Sequence, residues 1–310
     1  MKIITITLSP AFDVHCEADS LLLGHENLLR IIRREAGGKG VNISRALLAG
    51  DIDSLTVVVL GTENGEDFAK CLQEDGLCVT PIFTSGRIRE NVTVHNRSGE
   101  ETRFSFEVES TNASVLESLW DVLKEHELGD TFVTLTGRIP AGIPLPIVKE
   151  LVRELQNRGA RVIIDSRSFS LSDLAECTPY LIKPNEEEIS KYMGKDVGSI
   201  DEAIEAASVI HDLGIENVMI TLGGDGAVLV SDDGAWSAKA PSIIPISTIG
   251  AGDSSIAGFL SAISKGYSKA EALRAAVAYG SAACLTEGTR PPRKEDIERI
   301  APNIKIERKR

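Results

Sequence analysis

Cysteine is scarce here, and nothing in its placement suggests that it is used. Cys16, Cys71, Cys78, Cys177 and Cys284 form no CxxC pair and no Cys/His cluster at zinc spacing; an odd count without a secretory leader predicts reduced thiols in the cytosol. Positive charge is also short. Thirty-three basic residues against 46 acidic ones give a net charge of −13, which argues against binding nucleic acid through a phosphate-neutralising surface. Any anion bound by this chain must be met by a local concentration of cations. No stretch approaches the roughly 18 apolar residues of a membrane span, and MKIITITLSP is a short alternating run, so neither an address signal nor an anchor is expected. Internal repeats and low-complexity tracts are missing, and the basic tail, 305–310, reads as a frayed end. What remains is a globular composition, 42% hydrophobic and 25% charged over 310 residues, enough for one large α/β domain or two modest ones.

Short β-branched runs at 3–8, 56–60, 132–136, 162–164, 181–182 and 218–222 alternate with helical patterns at 114–127, 146–158 and 200–213. The strands are apolar on both sides, as expected where helices cover both faces of a parallel sheet, so the pattern predicts a three-layer, doubly wound, Rossmann-like α/β fold. Two stretches, 13–35 and 88–109, break the alternation, and the second contains a hairpin signal turning at Ser98 and Gly99. They are expected to build a small β-sheet lid on a single domain spanning 1–310, able to cover a site or pair with a second copy; the plainer alternative is two edge strands of one sheet.

Three glycine clusters carry the chemistry. Ser247-Thr248-Ile249-Gly250-Ala251-Gly252-Asp253 runs into a helical pattern at 255–265, and glycines at a helix mouth let bare amides approach an anion. Asp253 reads either as a cap or as a general base. Gly37-Gly38-Lys39-Gly40-Val41-Asn42 precedes a helical run at 43–48; it lacks Walker A spacing and reads either as a flexible turn or as a cradle from which Lys39 and Asn42 reach a polyol phosphate. Thr221-Leu222-Gly223-Gly224-Asp225-Gly226 ends a strand and is either a hairpin turn or a ligand loop. Asn185 and Glu188, behind Lys183 and Pro184, share a helix face and also fit a capping box. Asp13 lies just past the first strand, as a turn former or a site residue. Arg89, Arg103 and Arg138 are candidate phosphate grips, though a lone arginine is more often solvated. None of the five histidines is assigned to catalysis.

In order and interval, TLSPAFD, GGKGVN, TGRIPAG, KPNEEE, TLGGDGA, STIGAGDS and GSAACLTEGT resemble the ribokinase-like (PfkB) family of sugar kinases along nearly the whole chain. The first two motifs look like its hexose-phosphate branch, which holds 1-phosphofructokinase and tagatose-6-phosphate kinase. The resemblance implies phosphorylation of a ketose phosphate such as fructose 1-phosphate, or of tagatose 6-phosphate, with ATP as co-substrate and Mg2+. It implies Asp253 as catalytic base, Gly250, Ala251 and Gly252 as anion hole, and Asp13, Gly38, Lys39, Asn42 and Arg89 as sugar-phosphate contacts. Lys183, Asn185, Thr221, Gly223, Gly224, Gly226, Val277 and Ser281 fall on the nucleotide side, and Glu188 in an NxxE element associated with magnesium. Ser247, Ile249, Ala283, Thr286, Gly288 and Arg290 stand where some relatives hold a monovalent cation, K+ being the expected one. TGRIP departs from the common SGSLP, placing Arg138 where a small residue is usual. A sensor that keeps the fold without turnover is the competing class, and Asp253 beside its glycines argues against it.

Overall fold

The computed structural model describes residues 1–97, 100–106 and 110–309. The chain opens with β1 (Lys2–Thr7), leaves the main body through β2 (Ala11–Ala18) and β3 (Arg30–Gly37), and returns by α1 (Lys39–Ala49) to β4 (Leu55–Gly61), α2 (Gly65–Glu74) and β5 (Cys78–Thr84). A second excursion holds β6 (Glu90–Asn96) and β7 (Glu101–Phe104). Alternating elements follow: α3 (Val115–Leu123), β8 (Thr131–Thr136), α4 (Leu145–Asn157), β9 (Arg161–Asp165), α5 (Leu171–Cys177), β10 (Leu181–Ile182), α6 (Glu186–Met193), α7 (Ile200–His211) and β11 (Asn217–Thr221). The hairpin β12 (Ala227–Ser231) and β13 (Gly234–Ala238) leads into α8 (Ala251–Ser264), α9 (Lys269–Ala283), α10 (Lys294–Ile300) and β14 (Ile306–Arg308).

The main sheet runs β14-β13-β12-β11-β10-β9-β8-β1-β4-β5, parallel from β11 to β5 and antiparallel beyond. Its strands feed two cores by simple alternation. Ile4, Ile6, Val133, Leu135, Val162 and Ile164 face α3, α4, α5 and α7, whereas Ile3, Phe132, Ile163 and Met219 face α1, α8 and α9. Burial on both sides explains why these strands carry no polar alternation. The three-layer expectation is met.

The connections from β1 to β4 and from β8 to β9 run in opposite directions across the sheet. Open α/β sheets place ligands outside the carboxyl ends of strands at such a switch point.

The two stretches that break the alternation supply a separate four-stranded sheet, β3-β2-β6-β7. One face packs Phe12, Val14, Cys16 and Val94 against Val58, Leu60 and Phe68 of the main body. Ser98 and Gly99, the last three residues of 88–109, and Arg310 lie outside the described residues.

Three sequence readings need correction. The tail is not frayed over its described residues: β14 pairs antiparallel with β13, Trp236 opposite Arg308, and covers an edge of β13 that would otherwise be unpaired. Helix α8 begins at Ala251 rather than 255, and α1 at Lys39 rather than 43. Glycine lowers helix propensity in the interior, but first-turn amides have no partner inside a helix, so glycine is tolerated in that turn.

Candidate active site

Gly250 caps α8 with φ +80°, a left-handed conformation that a side chain would strain. The next residues are therefore first-turn residues, and among the described residues no backbone carbonyl takes the amides of Gly252 and Asp253. These N–H groups and the helix dipole face the cleft as an anion cradle. A Cβ on Gly252 would sit 3.1 Å from Lys183 Nζ, so the missing side chain lets an ammonium approach the same amides.

Asp253 is 7% exposed, and its Oδ2 accepts a hydrogen bond from Asn42 Nδ2 at 2.8 Å. Burial pushes its carboxyl up to about 6; Lys39, Asn42 and Lys183 draw it down, while neighbouring Asp165 pushes it further up. Asp165, the last residue of β9 and almost fully buried, goes the other way. Burial would raise it, but Lys183 at 3.9 Å and Lys39 at 2.9 Å hold it below the ordinary carboxylate range. Lys39, the first residue of α1, keeps its charge against burial because Asp165 and Asp253 both favour the ammonium. Two buried carboxylates thus share two lysines, one carboxylate kept ionised and the other made basic, the pattern by which environment divides acid and base roles.

On the small-sheet side, Asp13 Oδ1 takes Arg103 Nη2 at 2.8 Å and Asn91 Nδ2 at 3.1 Å. Arg89 is pushed below the ordinary guanidinium value by burial and by the nearby Arg138 and Arg103 charges, with Asp13 opposing. These side chains surround a cleft of about 490 Å3 into which Lys39, Asn42, Lys183, Glu188, Gly250, Gly252, Asp253 and Thr289 also face. Among the described residues, buried polar atoms without partners line it: Ser9 Oγ, Asn42 Oδ1, Arg89 Nε, Asn91 Oδ1 and Thr289 Oγ1. Buried polar groups are ordinarily satisfied, so this lining is built for a hydroxyl-rich, anionic ligand.

A second cleft of about 970 Å3 adjoins the first, sharing Asn185, Thr221 and Gly252. Gly223, Gly224, Gly226, Val277, Ser281 and Ala251 line it with Ile243 and Pro245, a more apolar setting that suits a flat base. The Gly223–Asp225 turn joins the hairpin of β11 and β12 and also borders this cleft. Asn185 and Glu188 form a complete capping box on α6 while lining the first cleft. Glu188 Oε1 is held by Arg167 Nε at 2.8 Å.

The structure brings together every predicted sugar-side residue, Asp13, Gly38, Lys39, Asn42, Arg89 and Arg138, with the α8 mouth. Of the residues predicted around a monovalent cation, only Ile249 faces the cleft. Ser247, Ala283, Thr286, Gly288 and Arg290 gather behind it, Ser247 Oγ donating to Gly288 O and Thr286 Oγ1 to Ala283 O and Arg290 O. Sequence reasoning missed Asp165 and Asn91. Asp165 had a signal, a carboxylate directly after an apolar strand at the edge already holding Asp13 and Lys183.

A doubly wound sheet with open amides at a helix mouth, a buried carboxylate beside them and two adjoining clefts is the arrangement of a phosphotransferase, which moves a phosphoryl group from a nucleotide to a small polar acceptor. The chain belongs to the pfkB family of carbohydrate kinases, whose description, "pfkB family carbohydrate kinase", matches residues 11–296. It is 31% identical to a 1-phosphofructokinase of Escherichia coli (strain K12), over 91% of this chain and 90% of that one. It is 29% identical to a 1-phosphofructokinase of Bacillus subtilis (strain 168), over 99% of each. Among solved structures, phosphofructokinase-2 from Escherichia coli in complex with potassium superposes with a TM-score of 0.91 at 27% identity, covering 97% of this chain and 98% of that one.

Proposed function

We propose that the protein transfers the γ-phosphoryl group of ATP to a hydroxyl of a ketose phosphate, with fructose 1-phosphate as substrate and fructose 1,6-bisphosphate as product. The observation that carries this reading is Asp253, buried, raised to about 6, and placed in the first turn of a helix whose amides are open to an anion. As the sugar oxygen attacks, Asp253 takes its proton, and the O–P bond to ADP breaks as the new one forms. The amides of Gly252 and Asp253, with Lys183, stabilise charge on the transferring group. Arg89, Arg103 and Lys39 hold the phosphate already on the sugar, and Asp13 and Asn91 orient its hydroxyls. The nucleotide lies in the second cleft against Val277 and Ser281. Mg2+ would supply charge neutralisation at the phosphates, and Glu188, which lines the first cleft, offers a hard carboxylate that would hold it. The carbonyls behind Ile249 suit K+. The small sheet acts as the lid, and the exposed Ile31 and Ile32 of β3, with Leu28 in the loop before it, make a second copy of the chain its expected partner.

The test is ADP formation with ATP, Mg2+ and a panel of free and phosphorylated ketoses, including tagatose 6-phosphate. Fructose 1-phosphate is expected to give the highest kcat/KM. Dependence of ADP formation on a ketose phosphate separates an enzyme from a sensor, and its absence across the panel would end this reading.

A further inference from the structure

Four charged side chains at the seam between the small sheet and the loop after α9 take no part in the roles above. Arg33 and Glu35 of β3, ion-paired at 3.0 Å, face Glu287 and Arg290. Arg33 Nη1 lies 2.9 Å from Glu287 Oε2, Arg290 Nε 3.4 Å from Glu35 Oε1, and Arg290 Nη1 3.7 Å from Glu287 Oε2. The signs alternate around a closed ring. Its β3 members are only 17% and 19% exposed, so salt screens them less than a free surface pair.

The backbone beneath the ring is fitted to it. Gly288 has φ +58°, and a Cβ there would stand 2.9 Å from Arg33 Nη2 and 3.3 Å from His15 Nε2. On its other side the same loop turns Thr289 into the first cleft, where the Thr289 Cα lies 3.8 Å from the place of a Cβ on Gly250. One loop therefore touches the small sheet through the ring and the mouth of α8 through Thr289. Within the small sheet Glu35 is registered opposite Asp13, so a shift of β3 carries Asp13 with it.

We propose that Glu287 is a positioning residue: through Arg33 and the rest of the ring it holds the small sheet, and Asp13 with it, at a fixed distance from the anion-binding end of α8. Isolated exposed ion pairs contribute little to global stability. Here the ring biases the local equilibrium between a seated and a lifted small sheet, where a few-fold change registers directly as sugar-phosphate affinity. The kinetic part of the test rests on the kinase reading; the exchange part does not.

The experiment compares wild type with Glu287→Gln, Glu287→Lys, Arg33→Gln and the Arg33→Gln/Glu287→Gln double variant. Glu287→Gln is expected to raise the KM for the ketose phosphate roughly 2- to 20-fold, the worth of two exposed pairs, with kcat and the KM for ATP unchanged. Glu287→Lys raises it further, and the double variant falls short of the sum of the two single effects, since the Arg33–Glu287 pair is common to both. Added NaCl raises the wild-type KM more than that of Glu287→Gln. Full additivity of the two single effects, or an equal rise in the KM for ATP, overturns the proposal. Without ligand, backbone amides of 30–37 exchange hydrogen faster in Glu287→Gln than in wild type. Unchanged exchange overturns the proposal even if wild type turns over no ketose phosphate.

Discussion

Asp253 owes its basicity to burial and therefore imposes a cost on the fold. A carboxylate raised from the ordinary 3.8 to about 6 binds its proton more tightly in the folded than in the unfolded chain. Its ionisation lowers stability as pH rises through about 6, by about 3 kcal/mol once complete. Asp253→Asn should thus melt higher than wild type at pH 8 and alike at pH 4, in paired thermal scans. The same replacement should lower kcat about 10²- to 10⁴-fold while ATP affinity, measured by calorimetry, holds. In wild type, kcat/KM should fall below a pH of about 6, since only the carboxylate accepts a proton. Lys39→Met should move that acid limb to higher pH, because Lys39 is the largest influence drawing Asp253 down. An acid limb that does not move would mean the lysine acts on the substrate alone. Asp253 itself was legible in the sequence from its glycines. Its balancing partner Asp165 carried only the weak signal of a carboxylate directly after an apolar run, and no local pattern links Lys39 to a residue 126 positions away.

At the scale of elements, the strand runs were legible because burial on both faces leaves an apolar signature, and α4 and α7 because each buries one stripe. Helix starts were not, since glycine lowers helix propensity in the interior but is harmless in the first turn. With α8 beginning at Ala251, Asp253 is its third residue, in the first turn where the sequence also put it, and its own amide faces the cleft. Gly252→Ala tests this geometry. A methyl 3.1 Å from Lys183 Nζ forces the ammonium aside by a few tenths of an ångström, so kcat should drop at least tenfold while the far-UV spectrum and melting temperature stay near wild type. The capping box on α6 teaches a related point. Asn185 and Glu188 satisfy each other's amides and still border the cleft, so a structural explanation for a motif did not exclude a site there.

For the whole molecule, a net charge of −13 argues against polyanion binding by the general surface but does not show where the cations gather. Lys39, Lys183, Arg89, Arg103 and Arg138 come from separate parts of the chain and meet only once the sheet reverses direction beside β1. Sequence order gave the family through its motifs, while the ring of Arg33, Glu35, Glu287 and Arg290 joins residues about 250 apart and carries no motif at all. The proposed pairing of two copies through the small sheet is tested at one of its exposed aliphatics: Ile31→Asp should lower the sedimentation coefficient if that face is the contact. The closing strand has a practical side. Because β14 supplies the last rung of the main sheet, with Lys309 N bonded to Ala235 O, a clone stopped short of residue 306 would leave β13 as a bare, adhesive border inviting foreign strands. Purification handles therefore belong at the amino terminus, away from the rung that keeps this border sealed.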